Sequence, residues 1–269
     1  MKKVSILIMI VMLFCFAGAA FAASSLEGIV KAVHEVELAF QLDGVIAKTL
    51  VKEGMRVGKG EVLVQLDDSL QKLEVSRREA ILNDRAEIDS NKKNLSITKE
   101  LLASARDLYN KMSAVSHDEV MNLEMQYHSI AGKIEVAEAR KTQEQIEYLI
   151  SKEMLARYSL ISPINGVITQ IKREAGEWAK TGEILVSVAD TSTCYAEFNI
   201  EEKLTRNLRA DKRISIKVRE GDALVQKMGK IIYVSPVADK ASALVRVKVE
   251  FENKNGKTVP GILAYLEIR

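Results

Sequence analysis

Gly44-Val45-Ile46, Gly54 and Gly60-Glu61-Val62-Leu63-Val64 return as Gly166-Val167-Ile168, Gly176 and Gly182-Glu183-Ile184-Leu185-Val186, each displaced by 122 residues. Three glycines and two apolar triplets held in one register mark an internal repeat. Each copy reads as short apolar strands separated by glycine turns, because glycine supplies positive φ and lets strands pass closely. A half-unit of this size cannot bury a core alone. The two copies, residues 27–67 and 159–189, are therefore expected to face each other as one small split β-sandwich.

Residues 68–157 separate the halves and contain no proline and one glycine, Gly132, so helix is favoured throughout. Ile81, Ile88, Leu95, Leu102 and Tyr109 recur at sevens; Val120, Leu123, Tyr127, Ile130, Ile134 and Ala137 follow alternating threes and fours, and Tyr148 and Leu155 continue that seam. This spacing predicts an antiparallel coiled-coil hairpin. The partner positions Asp84, Asn91 and Thr98 are polar, and Lys141 and Glu144 interrupt the second seam. The turn falls at Ser113-Ala114-Val115-Ser116, and Ser116-His117-Asp118-Glu119 has the form of a capping box for the returning helix. With a start at Asp68-Ser69-Leu70-Gln71, each arm is expected to run some forty residues, about 60 Å. Two helices on a small sandwich are mostly surface, which points to reach.

After Asp190 the pattern alternates: Ala196, Phe198, Ile200; Ile214, Ile216, Val218; Ile231–Val234; Leu244–Phe251; Ile262–Ile268. Five strands with short connections predict a small barrel or closed sandwich over 190–269, with a short helix at Glu201–Leu208. The fold class is thus mainly β with an inserted long α-helical hairpin, an α+β arrangement. At the other end, Met1-Lys2-Lys3, an apolar run from Val4 to Phe16 and Ala20-Phe21-Ala22 read as a signal peptide over 1–22, with Ala23 as the mature terminus. An uncleaved inner-membrane anchor is the competing reading. Cys15 lies inside the apolar run, which argues against a lipid-attachment site.

The chain of 269 residues carries 39 basic and 37 acidic side chains; residues 1–22 hold Lys2 and Lys3 and no acid, which leaves 37 against 37. A neutral mature chain has no electrostatic footprint for nucleic acid. Cys194 is then the one mature cysteine, and it reads as a buried, inert strand residue.

The split repeat resembles the halves of a lipoyl/biotinyl-type domain. Carriers of that type present a lysine at the turn joining the halves; here that turn is replaced by residues 68–157 without Met-Lys-Met, so the carrier reading is the remote alternative and no cofactor is expected. The whole order resembles the periplasmic adaptor, or membrane fusion, proteins of tripartite efflux and secretion systems (HlyD-like, RND-type). Leu42-Asp43-Gly44-Val45-Ile46, Val51–Gly60, Ser162-Pro163-Ile164-Asn165-Gly166-Val167-Ile168 and Val259-Pro260-Gly261-Ile262 carry that resemblance. It implies a non-catalytic periplasmic protein that bridges an inner-membrane transporter, of RND or ABC type, and an outer-membrane channel while forming a ring with its own copies. It also implies a docking tip at Arg106, Leu108, Met112, Ala114, Val115, Ser116 and Glu119. Ser116 fits the family's tip serine, whereas Arg106 and Leu108 depart from its spacing, with Asn110 four after Arg106 where leucine is usual. Only Ala23–Leu26 precedes the first strand and nothing follows the last, so a reduced membrane-proximal region is expected. The alternative function is an envelope coiled-coil scaffold outside any conduit.

His117, Met121, Met125 and His128 share one helical stripe, and soft ligands of these types suit Cu(I) or Ag(I). The reading adopted is an adaptable Met-rich docking surface or simple seam-flanking residues, with no resident metal. His34 stands alone in a strand; Asp67-Asp68 and Glu201-Glu202 read as a helix start and a solvated face rather than acid–base pairs. Trp178, opposite Arg56 in the repeat, reads as a packing or ring-interface residue.

Overall fold

A computed structural model describes residues 25–267; the expected signal peptide, its cleavage point and Cys15 lie outside the described residues. Two compact units emerge. One comprises residues 37–163 and 168–187, the other the residues up to 36 together with 164–167 and those from 188 onward.

In the first unit the repeat becomes a reciprocal exchange of backbone hydrogen bonds. The strands involved are β2 (Gly44–Thr49), β3 (Arg56–Val57), β4 (Val62–Leu66), β5 (Ser159–Ile161), β6 (Gly166–Ile171) and β7 (Trp178–Ala179). Gly54 N–H donates to Ile168 O at 2.8 Å, and Gly176 N–H donates to Ile46 O at 2.8 Å. Ile168 N–H reaches Met55 O and Ile46 N–H reaches Glu177 O, both at 2.9 Å. Gly60 N–H bonds Ser162 O at 2.7 Å while Gly182 N–H bonds Phe40 O at 3.0 Å. Each pair is one bond repeated with its partners exchanged, so the halves are related by a pseudo-twofold. The turn glycines match too: φ is +81° at Gly54 and +94° at Gly176, +87° at Gly60 and +76° at Gly182. Leu63, Val64, Leu66, Ile46, Ile168, Leu185 and Val186 are fully or almost fully buried.

The hairpin leaves between β4 and β5, which pair antiparallel (Val62↔Ile161, Val64↔Leu160, Gln65↔Ser159). Its returning arm is one 40-residue helix, about 60 Å long. The outgoing arm differs from expectation: it is two helices, α1 (Ser69–Asn83) and α2 (Ala86–Met112), broken at Asp84-Arg85, before α3 (His117–Ala156). Along α2, Ile88, Thr98, Leu102 and Ala105 are buried with Asn91 and Leu95 half-buried, so the polar Asn91 and Thr98 do share the expected seam. Ile81 and Tyr109, at its two ends, are exposed. On α3 the seam runs through Ile134 and Ala137 to Ser151, with Lys141 and Glu144 inside it. Gln71 Nε2 donates to Ser151 O at 3.0 Å and ties the arms near their base.

The second unit holds the five expected strands, β8 (Ile184–Glu201, its later part), β9 (Arg213–Glu220), β10 (Ala223–Ala238), β11 (Leu244–Glu252) and β12 (Leu263–Glu267), with the short helix α4 (Glu202–Thr205). A sixth strand, β1 (Ser25–Ala39), corrects the boundary placed at residue 27. Its residues 25–29 pair antiparallel with 267–263, and a further pairing with β8 closes the barrel. Alternation puts Phe198, Ile200, Ile216, Val218, Val247, Val249 and Leu266 into one core with Val30 of β1. Gly28 is required there: a Cβ would lie 2.5 Å from Glu197 O and from the Phe198 ring. Asn253, 1% exposed, donates to Thr191 O at 2.9 Å and Thr258 O at 2.8 Å and accepts from Thr258 N–H at 3.0 Å. Cys194 beside it is buried, and burial pushes its thiol pKa up.

Two outcomes follow from this geometry. Gly54→Ala and Gly176→Ala should each cost about 1–2 kcal/mol, the penalty for a Cβ at positive φ, and by nearly equal amounts in denaturant titrations because the sites are equivalent. Asn253→Ala should lower the barrel's thermal midpoint by an amount reflecting about 1–3 kcal/mol, since Thr258 N–H and two carbonyls lose their buried partner.

Candidate functional site

The hairpin end is shaped by two backbone devices. Helix α2 stops because Ser113 turns into the left-handed region at φ +52°, with its N–H on Tyr109 O at 3.3 Å. After Ala114 and Val115, Ser116 adopts extended geometry and caps α3, its Oγ accepting the Glu119 N–H at 3.2 Å. Asp118 and Glu119 occupy the first turn of α3, where the helix dipole favours acids. The Ser116 half of the expected capping box is therefore in place.

Cross-arm contacts hold the two helix ends together. The Tyr109 ring meets His117 edge-on, centroids 5.8 Å apart. The Arg106 guanidinium donates to the Glu124 carboxylate through Nε, at 3.1 Å, and through Nη2. That bond holds Glu124 below the usual carboxylate range, with the positive charge of Arg106 and the two neighbouring histidines adding to it. Between these ties, apolar side chains are left to solvent: Leu108 is 41% and Met112 73% exposed, and Val115 is half-buried at the apex. Met121 (46%) and Met125 (61%) extend exposed apolar surface along α3.

Of the residues singled out in the sequence, Leu108, Met112, Ala114, Val115, Ser116 and Glu119 come together at this turn. Arg106 stands one to two turns down α2, engaged by Glu124 rather than presented alone. Sequence reasoning missed Glu124 and Tyr109–His117 as the braces; the i,i+18 separation of Arg106 and Glu124 becomes informative only once the turn position is known. The His117 and His128 rings meet Tyr109 and Tyr127 edge-on, and among the described residues no group of three or more His, Cys, Asp or Glu is placed to hold a metal. The repeat glycines sit away from the tip, at the turns and close approaches of the sandwich: Gly44 faces Leu66, and a Cβ on Gly166 would lie 2.7 Å from Ala189 O. Trp178, expected to pack or to serve a ring interface, is 54% exposed and pairs across strands with the exposed Val45.

A sequence model of the RND membrane fusion protein barrel-sandwich hybrid domain matches residues 34–191. An uncharacterised protein of Haemophilus influenzae is 25% identical over 244 residues, 90% of this chain and 56% of that protein. The cobalt-zinc-cadmium resistance protein CzcB of Cupriavidus metallidurans is 21% identical over 85% of this chain and 41% of its own length. The chain thus spans about half the length of these relatives. Among solved structures, MacA from Actinobacillus actinomycetemcomitans superposes with a TM-score of 0.67 at 20% identity, covering 91% of this chain and 78% of that one. That likeness establishes the fold: β-domains carrying a helical hairpin.

The Arg106–Glu124 brace has a pH signature. Glu124 is depressed in the folded state, so its contribution to tip stability is present above its unfolded pKa and is lost as pH falls through the lower folded value. Arg106→Leu should return the Glu124 titration towards an ordinary glutamate in carboxyl-detected NMR, and a curve identical to wild type would show that the brace does not form in solution.

Proposed function

Because the chain belongs to the RND membrane fusion protein family by its barrel-sandwich hybrid domain, we propose that it is a non-catalytic periplasmic adaptor of an efflux or secretion assembly. In this reading it links an inner-membrane transporter, RND or ABC type, to an outer-membrane channel. The observation that carries the proposal is the tip: an apolar cap with Leu108 and Met112 exposed and Val115 half-buried at the apex, held by a serine cap and an ion-pair brace at the end of long helices. Exposed Leu and Met side chains on braced backbone make a surface that gains by being covered. The partner expected there is a helical end of an exit duct, whose own seam positions would receive them as knobs.

Self-association into a ring is the second element. On α3 the seam positions Tyr148, Ser151 and Leu155 occupy one side, yet Ile146, Leu149 and Ile150 on the reverse are more than half exposed. A helix apolar on both faces is normally covered on both. The exposed Trp178–Val45 pair on the sandwich offers another such surface. A second copy of the chain is the occupant proposed for these faces. Among the described residues no helix is long and apolar enough to cross a membrane; export by the N-terminal signal is part of the proposal.

Val115→Asp or Ser116→Arg should abolish transport-linked resistance while leaving expression and the helical circular dichroism intact; resistance unchanged in both variants would remove the docking role. A pull-down from cross-linked envelopes tests the bridge itself. Recovery of a transporter together with an outer-membrane channel is the expected result, and recovery of self-copies or another coiled-coil protein alone would favour the scaffold.

A further inference from the structure

The break in the outgoing arm has an unusual cause. Kinks are normally traced to proline, to glycine, or to a group inserted into the helical hydrogen-bond ladder, and residues 69–112 contain neither proline nor glycine. The inserted group is Lys141 of the opposite arm. Its Nζ donates to Ile81 O at 2.8 Å, the carbonyl that a continuous helix would offer to Arg85 N–H, and to Glu144 Oε2 at 2.6 Å.

Each helix end at the break has a terminating contact of its own. Asp84 N–H donates to Ala80 O at 3.2 Å and Ile81 O at 3.3 Å, closing α1; the Asp84 carboxylate accepts Ala86 N–H at 3.1 Å, opening α2. The ammonium at the carboxyl end of α1 and the acids Glu87 and Asp89 in the first turn of α2 suit the two helix dipoles. Asp84 itself is extended at φ −71°, ψ 113°, an ordinary backbone conformation, so the break stores no strain.

The seam explains why the arm does not simply mend. Counting back from Ile88 in threes and fours, a continuous helix would bury Asp84 against α3. In the structure Asp84 is exposed, and the half-buried positions of α1 are Gln71, Glu74, Val75, Arg78 and Leu82, a different phase. The opposite arm is polar at the same level, with Lys141 and Glu144 half-buried, and a cleft of about 170 Å³ lies between Ile81, Asp84, Ile88 and Lys141. Of the other cross-arm ion pairs near the joint, Arg140–Glu87 at 3.2 Å and Lys92–Glu138 at 2.8 Å join side chains about half exposed and so hold little, whereas Arg78–Glu147 ties α1, below the joint, to α3.

We propose that Asp84-Arg85 is a joint in the outgoing arm and that Lys141 is the latch that holds it in the present conformation. Beyond the joint lie the 27 residues of α2, about 40 Å of helix, so a rotation of about ten degrees displaces the tip by about 7 Å. The continuous α3 serves as the spine, and the outgoing arm adjusts against it without either helix unwinding.

Hydrogen exchange on the full chain, read by mass spectrometry, tests this. In the wild type, amides 82–88 should exchange at least tenfold faster than amides 95–105 of the same arm. Lys141→Met, which keeps the apolar stem and removes the ammonium, should accelerate 82–88 about tenfold further while 95–105 stay within twofold. Asp84→Leu combined with Lys141→Leu gives both arms an apolar seam and should slow 82–88 to the level of 95–105. Equal protection of the two segments in the wild type would overturn the joint. An unchanged or slower 82–88 in Lys141→Met, or a parallel rise in both segments, would overturn the latch.

Discussion

Everything in the first unit depends on the exchanged backbone bonds between the two glycine-punctuated halves. Gly54 to Ile168 and Gly176 to Ile46 are the same bond made twice in opposite senses, so neither half has a complete hydrogen-bond complement alone. Buried backbone groups left unpaired are costly, and this makes the association of residues some 120 apart obligatory. It also fixes where the insertion can leave. Leu66 N–H on Tyr158 O at 2.9 Å and the β4–β5 ladder bring the first and last residues of the hairpin side by side, which is the condition for its two arms to pack from the first turn.

That dependence explains what could be read without coordinates. The repeat was legible because positive φ at Gly54, Gly60, Gly176 and Gly182 excludes most residue types, so a backbone requirement leaves a letter behind. The coiled-coil seam was legible for the same kind of reason: Ile88, Leu102, Ile134 and Ala137 are buried, and burial selects apolar residues at a fixed period. The closing strand of the barrel was not. Alternation at Leu26, Gly28 and Val30 announces a strand, yet its partners lie at residues 263–267, and no local feature names a partner that far along the chain. Proximity in sequence to the repeat drew residues 27–36 to the wrong unit.

The outgoing arm shows a different limit. Its heptads pass through Asp84 without a breaker, and helix propensity alone predicts continuity. What interrupts it is a cross-arm contact, Lys141 on the Ile81 carbonyl, which exists only once the arms are paired. Tertiary context here overrides local preference. The clue was the coincidence of polar residues at one level of both seams, Asp84 on one arm and Lys141 with Glu144 on the other. Read one helix at a time, each is a blemish; read together, they mark a place where the seam changes phase.

The tip combines both situations. Ser116 as a cap followed from the spacing to Glu119, and the αL turn at Ser113 accounts for the pattern break before it. The brace of Arg106 by Glu124 did not follow, since Arg106 entered as one of the docking-tip residues and nothing in the sequence pairs it with a residue 18 positions on. Once paired, the arginine changes meaning: its charge is largely answered within the hairpin, and the surface left for a partner is apolar, Leu108, Met112 and Val115. An interface with an exit duct built on such residues would draw its stability from burial and shape, with the ion pair setting the spacing of the two helix ends. Tip specificity would then reside in the angle at which α2 and α3 present those side chains, and that angle is set by Arg106–Glu124 and by the Tyr109–His117 contact.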